Sequence, residues 1–257
     1  MSLGLKRGLY IALPVLLIGL FARLPASVAI NWILPDNVAV RGISGTIWNG
    51  QISAIEAQRI GVGPVEWSLS PLGLLTGKVR VAVEAQVPGG FVETDLAISP
   101  SGRIKADGIV AQIDLAPFTR YSSSIGPTQG IARVSADTIV VVDQWPESVV
   151  NGTLEVRDLV YAAIGNQPLG SHRIRFNDVD DDPEFTIGGN IESIDGAFDV
   201  SGDFDLGSGT RFRMDGLLKL TDQAPRGMDN SIRPLLGAPN SAGQYPFNWE
   251  GSLRAPE

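Results

Sequence analysis

The sequence predicts a mainly β protein: one N-terminal transmembrane helix, then a long curled antiparallel β-sheet with a few short helices. Three observations carry that prediction. Apolar and polar residues alternate at period 2 along much of the chain, the spacing of a half-buried strand. Thirty glycines and seventeen prolines among 257 residues interrupt it too often for long helices. A single uncharged run near the start, residues 8–22 (GLYIALPVLLIGLFA), stands apart from this pattern.

That run comes first. Lys6 and Arg7 precede it, Arg23 follows, and apolar character resumes from Leu24 to Leu34. A bilayer core takes about 20 apolar residues in a helix, and Arg23 can reach the interface along its own stem. Tyr10 and Trp32 lie near the two ends, where amphipathic rings favour the headgroup region. The expected division is therefore a cytoplasmic stub and anchor over 1–34 and a β-rich body over 35–257. The positive-inside rule puts the body across the membrane. A cleaved signal peptide ending at Ser27-Val28-Ala29 is the competing reading. The anchor is preferred because Ile30-Asn31-Trp32-Ile33-Leu34 continues the apolar character beyond that cut.

The strands follow. Val79, Val81, Val83, Ala85 and Val87 alternate with Arg80, Ala82, Glu84 and Gln86, and Val92 to Ser99 continues the pattern. Phe198 to Leu206 and Phe212 to Leu220 repeat it, each with charges on the opposite face. Pro88-Gly89-Gly90, Pro100-Ser101-Gly102 and Gly207-Ser208-Gly209 read as hairpin turns, so the strands should form a meander. The apolar phase slips at Gly108, where a bulge would restore a single apolar face. Asn151-Gly152 reads as a further turn. Helical signals are brief, at Pro71–Leu75, Leu115–Tyr121 and Ser231–Leu236. No strand pattern is read as apolar on both faces, so the sheet should curl over its one apolar face.

Composition removes several chemistries. The absence of cysteine excludes disulfides, thiolate metal sites and thiol nucleophiles. One histidine, His172, leaves no His pair, and its surroundings suggest a surface or edge position. A net charge of −8 argues against nucleic acid. All 28 acidic residues lie beyond residue 34. The cluster Asp178, Asp180, Asp181, Asp182 and Glu184 fails the EF-hand pattern, having Pro183 and Gly189 at the required Gly and Glu positions. Gly73 to Val79 falls one residue short of a phosphate loop and lacks its hydroxyl. No cofactor, metal site or catalytic constellation emerges, and the expectation is a protein that is not an enzyme.

The most distinctive residues are Gly42-Ile43-Ser44-Gly45-Thr46-Ile47-Trp48-Asn49-Gly50 and Val65-Glu66-Trp67-Ser68-Leu69-Ser70-Pro71-Leu72-Gly73-Leu74-Leu75-Thr76-Gly77. Physically, Trp48 and Trp67 should plug the mouth of the sheet, while Pro71 opens and Gly77 closes a short helix. The patterns G-x-S-G-T-x-W-x-G and V-x-W-x-L-x-P-x-x-L-x-x-G resemble the protein N family of the bacterial type II secretion system. The tail Ile232-Arg233-Pro234-Leu235-Leu236-Gly237 is similar as well. That resemblance singles out Gly42, Gly45, Trp48, Gly50, Trp67, Pro71, Leu75, Gly77 and Gly237 as family-motif positions with structural roles.

The resemblance implies a single-pass inner-membrane protein with its body in the periplasm. It implies an accessory role in exporting folded proteins through contacts with other inner-membrane secretion components, and no catalytic residue. The entry strands also look similar to AsmA-like proteins, which would imply a groove that binds or shuttles lipid. Two occupants of the apolar groove therefore stay open at this point, phospholipid or the protein's own Phe198, Phe204, Phe212 and Met214. Membrane lipid around the N-terminal helix is a partner on either reading.

Overall fold

The computed structural model of the chain describes residues 19–33, 38–57, 60–119, 128–143, 145–161, 167–179, 184–207 and 211–252. Among the described residues, fifteen strands form one antiparallel sheet, with four short helices between or beside them in addition to the helical residues 19–22. Helix α1 (Ala26–Ile33) leads into β1 (Val38–Gly45), β2 (Asn49–Ala57), the short β3 (Ile60–Val62) and β4 (Val65–Leu69). Helix α2 (Pro71–Leu75) precedes β5 (Val79–Val87), β6 (Gly90–Ile98) and β7 (Ile104–Asp114). Helix α3 (Leu115–Thr119) precedes β8 (Thr128–Val142), β9 (Trp145–Val150), β10 (Gly152–Tyr161) and β11 (Gln167–Asp178). The chain continues through β12 (Phe185–Asp195), β13 (Phe198–Gly207), β14 (Arg211–Leu220), α4 (Met228–Leu236) and β15 (Gln244–Ser252).

Neighbours in sequence are neighbours in the sheet, from β1 at one edge to β15 at the other; β3 pairs only with β2, and β9 with β8. The turns explain the meander. Val87 pairs with Gly90 across Pro88-Gly89, with Gly89 in the left-handed region at φ 74°. Ser99 and Arg103 close the β6–β7 turn, whose Gly102 has φ 80°. The turn expected at Gly207-Ser208-Gly209 lies partly outside the described residues.

The phase slip at Gly108 is present and extends further than the sequence indicated. Gly108 has φ 61°, and the β6–β7 register shifts beside it, bringing Ile104 and Ala106 before it onto the face of Ile109 and Ala111 after it. The ladders align Gly108 with Asp137 of β8 and Asn151 between β9 and β10. Asn151 also has a left-handed φ of 50°, and its side-chain amide donates to Asp137 Oδ2 at 2.6 Å. The Asn151-Gly152 turn is thus corrected: β9 and β10 run end to end along β8, and Asn151 kinks one continuous strand path.

Two further expectations need correction. Ile139-Val140-Val141-Val142 at the end of β8 is apolar on both faces, and all four side chains are half-buried. His172 is neither surface nor edge; it sits inside the sheet, opposite Val156 of β10 and Ser193 of β12. Its Nδ1 lies 3.0 Å from Ser193 Oγ, and burial holds its pKa below the ordinary imidazole value.

The core is uneven. Leu169, Ala197, Phe198, Met228, Ile232 and Tyr245 form one buried cluster where α4 packs on the C-terminal strands. Phe198, Phe204, Tyr245 and Phe247 are buried, while Phe212 and Met214 are half-buried, so the protein's own side chains occupy that part of the apolar face. Among the described side chains of the first seven strands only small or isolated residues (Ile52, Ile109, Ala111) reach burial, and Val81, Val83, Ala85 and Val87 stay half-buried. The chain exposes 16465 Å², against about 11,000 Å² for a compact monomer of its mass. The sheet is open, with edges at β1 and β15.

The anchor expected over 1–34 falls largely outside the described residues. Among those described, no helix is long and apolar enough to cross a membrane. Residues 19–22 are helical, but Arg23 turns, and Pro25 bridges to Thr46 before α1 begins. Proline disfavours helical backbone at Leu24 before it, so the two apolar pieces are separate segments, not one continuous helix.

Candidate docking site at the start of the sheet

The β1–β2 turn is built by Gly45, Thr46 and Asn49. Gly45 has φ 87°, and a Cβ there would stand 2.4 Å from the Asn49 carbonyl oxygen, so no other residue fits. The Thr46 amide donates to the Asn49 carbonyl at 2.8 Å, and the Asn49 amide donates to Thr46 Oγ1 at 3.3 Å. This double closure turns Ile47 and Trp48 outward, toward the N-terminal segment.

The outward turn clasps that segment. The Ile47 amide donates to the Leu24 carbonyl at 3.0 Å, beside the Pro25–Thr46 bridge. The Trp48 indole Nε1–H donates to the Phe21 carbonyl at 3.2 Å, and the two rings meet edge to face with centroids 5.2 Å apart. The Phe21 carbonyl also accepts from the Leu24 amide at 3.3 Å, so one acceptor serves both the end of the helical turn and Trp48. The turn therefore ties residues 21–25 to the first strands of the sheet.

Trp67 supports the turn from beneath. Its indole N–H donates to the Ile47 carbonyl at 3.1 Å. Its ring lies over Gly50, where a Cβ would sit 2.2 Å from a ring carbon. Gly50 pairs with Trp67 in the β2–β4 ladder, so glycine there is the space that the ring fills. The Leu69 amide then donates to the Trp48 carbonyl at 2.6 Å, which places α2 directly beside the clasp.

Helix α2 begins at Pro71 and is closed just beyond its end by Gly77, whose φ of 71° allows the Gly77 amide to reach the Leu74 carbonyl and the Lys78 amide to reach the Gly73 carbonyl. Leu75 is its last residue, and its side chain lies outside the described set. Leu72 is 73% exposed and Leu74 is 37% exposed. A cleft of about 580 Å³ opens next to α2 on the polar face, lined by Ser68, Ser70, Lys78, Arg80, Asp95, Lys105 and Asp107 among others. Lys105 donates to Asp107 at 3.0 Å and Thr138 Oγ1 donates to it at 2.6 Å; these bonds hold the Asp107 carboxyl below its ordinary pKa.

The motif positions thus divide. Gly45, Trp48, Gly50, Trp67, Pro71 and Gly77 come together at one end of the sheet. Gly42, with φ 67° and its carbonyl accepting from Ser53 Oγ, lies one step along β1. Gly237 stands apart at the end of α4, with φ 84°. Of the topology residues, Arg23 is exposed at the junction, the Trp32 side chain is not described, and Lys6 and Arg7 lie outside the described residues. The sequence reading missed the backbone partners at Phe21, Leu24 and Pro25. Pro25 next to an apolar run was the available signal for a break.

Elsewhere several charged groups pair within the fold. Arg173 joins Glu155 at 3.0 Å and Glu192 at 3.2 Å, Arg175 joins Glu192 at 2.8 Å, and Arg157 also joins Glu155. These partners hold both carboxyls below, and the Arg173 guanidinium above, their ordinary pKa values. Asp178 accepts from Ser148 Oγ and the Val149 amide, and Glu184 joins Arg211. Among the described residues no group of three acidic or histidine side chains is placed to hold a metal ion.

Comparison with known proteins agrees with the motif reading. The family described as type II secretion system (T2SS), protein N, matches residues 36–248. A type II secretion system protein N from Vibrio cholerae serotype O1 is 24% identical over 255 residues, covering 93% of this chain and 95% of that relative. The protein of the same name from Aeromonas hydrophila is 20% identical over 245 residues, covering 91% and 93%. The AsmA-like similarity of the entry strands is not borne out. No solved structure matches significantly.

Proposed function

The chain belongs to the type II secretion system protein N family, and from that premise we propose that it is a non-catalytic, membrane-tethered scaffold of the secretion apparatus. In this reading the N-terminal segment crosses the inner membrane once with its start in the cytoplasm. The β body stands in the periplasm and assists export of folded proteins by contacting other inner-membrane components.

The observation that carries the proposal is the clasp. The family-motif residues Gly45, Trp48, Gly50 and Trp67 spend their hydrogen bonds and close contacts on fixing the N-terminal segment to the sheet. A rigid junction between tether and body serves a part that must be held in a set orientation at a membrane. The basic pair Lys6 and Arg7 before the apolar run supports the stated orientation.

The test is genetic. Deletion should reduce the amount of folded substrate in the medium. The full chain should restore it, whereas a body whose residues 1–34 are replaced by a cleavable secretion signal should not. Unchanged export in the deletant would overturn the secretion role, and full rescue by the untethered body would overturn the tether.

A further inference from the structure

We propose that the end of the sheet beside the clasp is a membrane-contact surface that seats an anionic phospholipid headgroup in the cleft next to α2. The inference rests on the tethered reading above only for bringing this end to the bilayer; the site itself is argued from its residues.

Apolar exposure gathers at this end. Leu20 and Phe21 on the clasped segment, Val28 on α1, Leu72 and Leu74 on α2, and the paired Val79 and Ile98 are all among the exposed large apolar residues. Direct bonds link them into one place: Phe21 to Trp48, Trp48 to Leu69, and Ser70 to Arg80. Other exposed large apolar residues, Leu235 and Trp249 among them, are spread over the rest of the molecule, but these seven share one end, the grouping that marks a contact surface. Their occupant is indicated by what surrounds them. The apolar run of residues 8–22 leads directly into Leu20 and Phe21, so whatever receives that run also receives this edge.

Charge points the same way. The chain carries a net −8, yet Lys78 and Arg80 stand exposed beside α2 and Arg23 is exposed on the clasped segment, and Lys78 has no acidic partner among the described residues. Lys78, Arg80 and Lys105 line the 580 Å³ cleft together with Ser68, Ser70 and two carboxylates, Asp95 and Asp107, of which Asp107 is engaged by Lys105 and Thr138. Cations and hydroxyls beside protruding leucines match a lipid, whose phosphate sits just above its acyl chains. A soluble anion would have no use for Leu72.

The chain lacks cysteine, so Leu72→Cys introduces a unique labelling point. The full chain, labelled there with a fluorophore, is reconstituted in nanodiscs of phosphatidylcholine alone or with phosphatidylglycerol, some carrying a headgroup-region quencher. Quenching at position 72 should be several-fold stronger with the anionic lipid, weaken as salt is raised, and drop in K78E/R80E. A label at Asp199, on the polar face of β13, should remain unquenched in both. Retention in the disc without quenching at 72 would overturn this inference and leave the tether standing. Loss of the chain from the disc would overturn the tether instead. Equal quenching in neutral and anionic discs would overturn the headgroup site.

Discussion

Trp67 and Trp48 share a residue type but hold different things, and their substitutions should separate accordingly. Trp67 covers Gly50 and donates to the Ile47 carbonyl, so Trp67→Ala uncovers the β2–β4 ladder itself. Its cost in the urea unfolding of the body should be about 2 kcal/mol. Trp48 donates to Phe21, outside the sheet, so Trp48→Ala should cost only about 1 kcal/mol. Its signature is trypsin cutting faster at the exposed Arg23, with Trp48→Phe intermediate because it retains the ring and loses the indole N–H. Equal cleavage in wild type and Trp48→Ala would mean that the clasp does not hold the segment. His172 makes a separate residue-scale case. Burial holds its folded pKa below the ordinary value near 6.5, so the unfolded chain binds the proton more readily. Its share of stability is present above about pH 6.5 and is lost as pH falls below it. The carboxyls of Glu155, Glu192 and Asp107, held low by their cationic and hydroxyl partners, lose their share only below about pH 4.5. Urea titrations should therefore show a decline between pH 7 and 5 that His172→Gln removes, with the steeper acid limb retained.

At the scale of elements, the sheet keeps one apolar face by kinking where the alternation slips. Gly108 takes φ 61° in open space, so a side chain there meets no atom, and its whole penalty is backbone strain. Gly108→Ala should cost about 1–2 kcal/mol, and Asn151→Ala should add to it through the lost bond to Asp137, read as a falling thermal midpoint. A Gly108→Ala midpoint equal to wild type would mean that the strand has slid in register instead. This kink was legible because a change of parity, from Ile104 and Ala106 to Ile109 and Ala111, is written in a single strand. Its partner at Asn151 was misread because Asn-Gly has the same left-handed preference in a kink as in a turn, and only the pairing of β9 and β10 with β8 separates the two. Helix α2 was legible to the residue, since Pro71 and Gly77 each act through local backbone geometry. The clasp was half legible: both tryptophans stand out in the sequence, but their acceptors are backbone carbonyls, which carry no side-chain signature.

Across the whole molecule, period-2 alternation identifies a meander but leaves open how each strand's apolar face is covered. That depends on side-chain volume far apart in sequence. The N-terminal strands offer valine and alanine to the shared face and remain half-buried, whereas β13 and β15 bury Phe198, Phe204, Tyr245 and Phe247, with Phe198 and Tyr245 packed under α4. Apolar area removed from water stabilises at about 25 cal/mol per Å², so stability should be concentrated in the half with the large buried rings. The sheet is open, with edges at β1 and β15, so the two halves share no closing ladder that would force them to unfold together. Hydrogen exchange of the full chain, followed by mass spectrometry, should find the slowest amides in β12, β13 and β14. Those of β5 and β6 should exchange by local opening at least tenfold faster, although their ladders are just as regular. Ile232→Asp should erase the difference by lifting α4 off the C-terminal strands and raising their exchange toward that of β5 and β6. Protection equal in both halves of the wild-type chain would mean that backbone pairing, and not the uneven core, sets the local stability of this sheet.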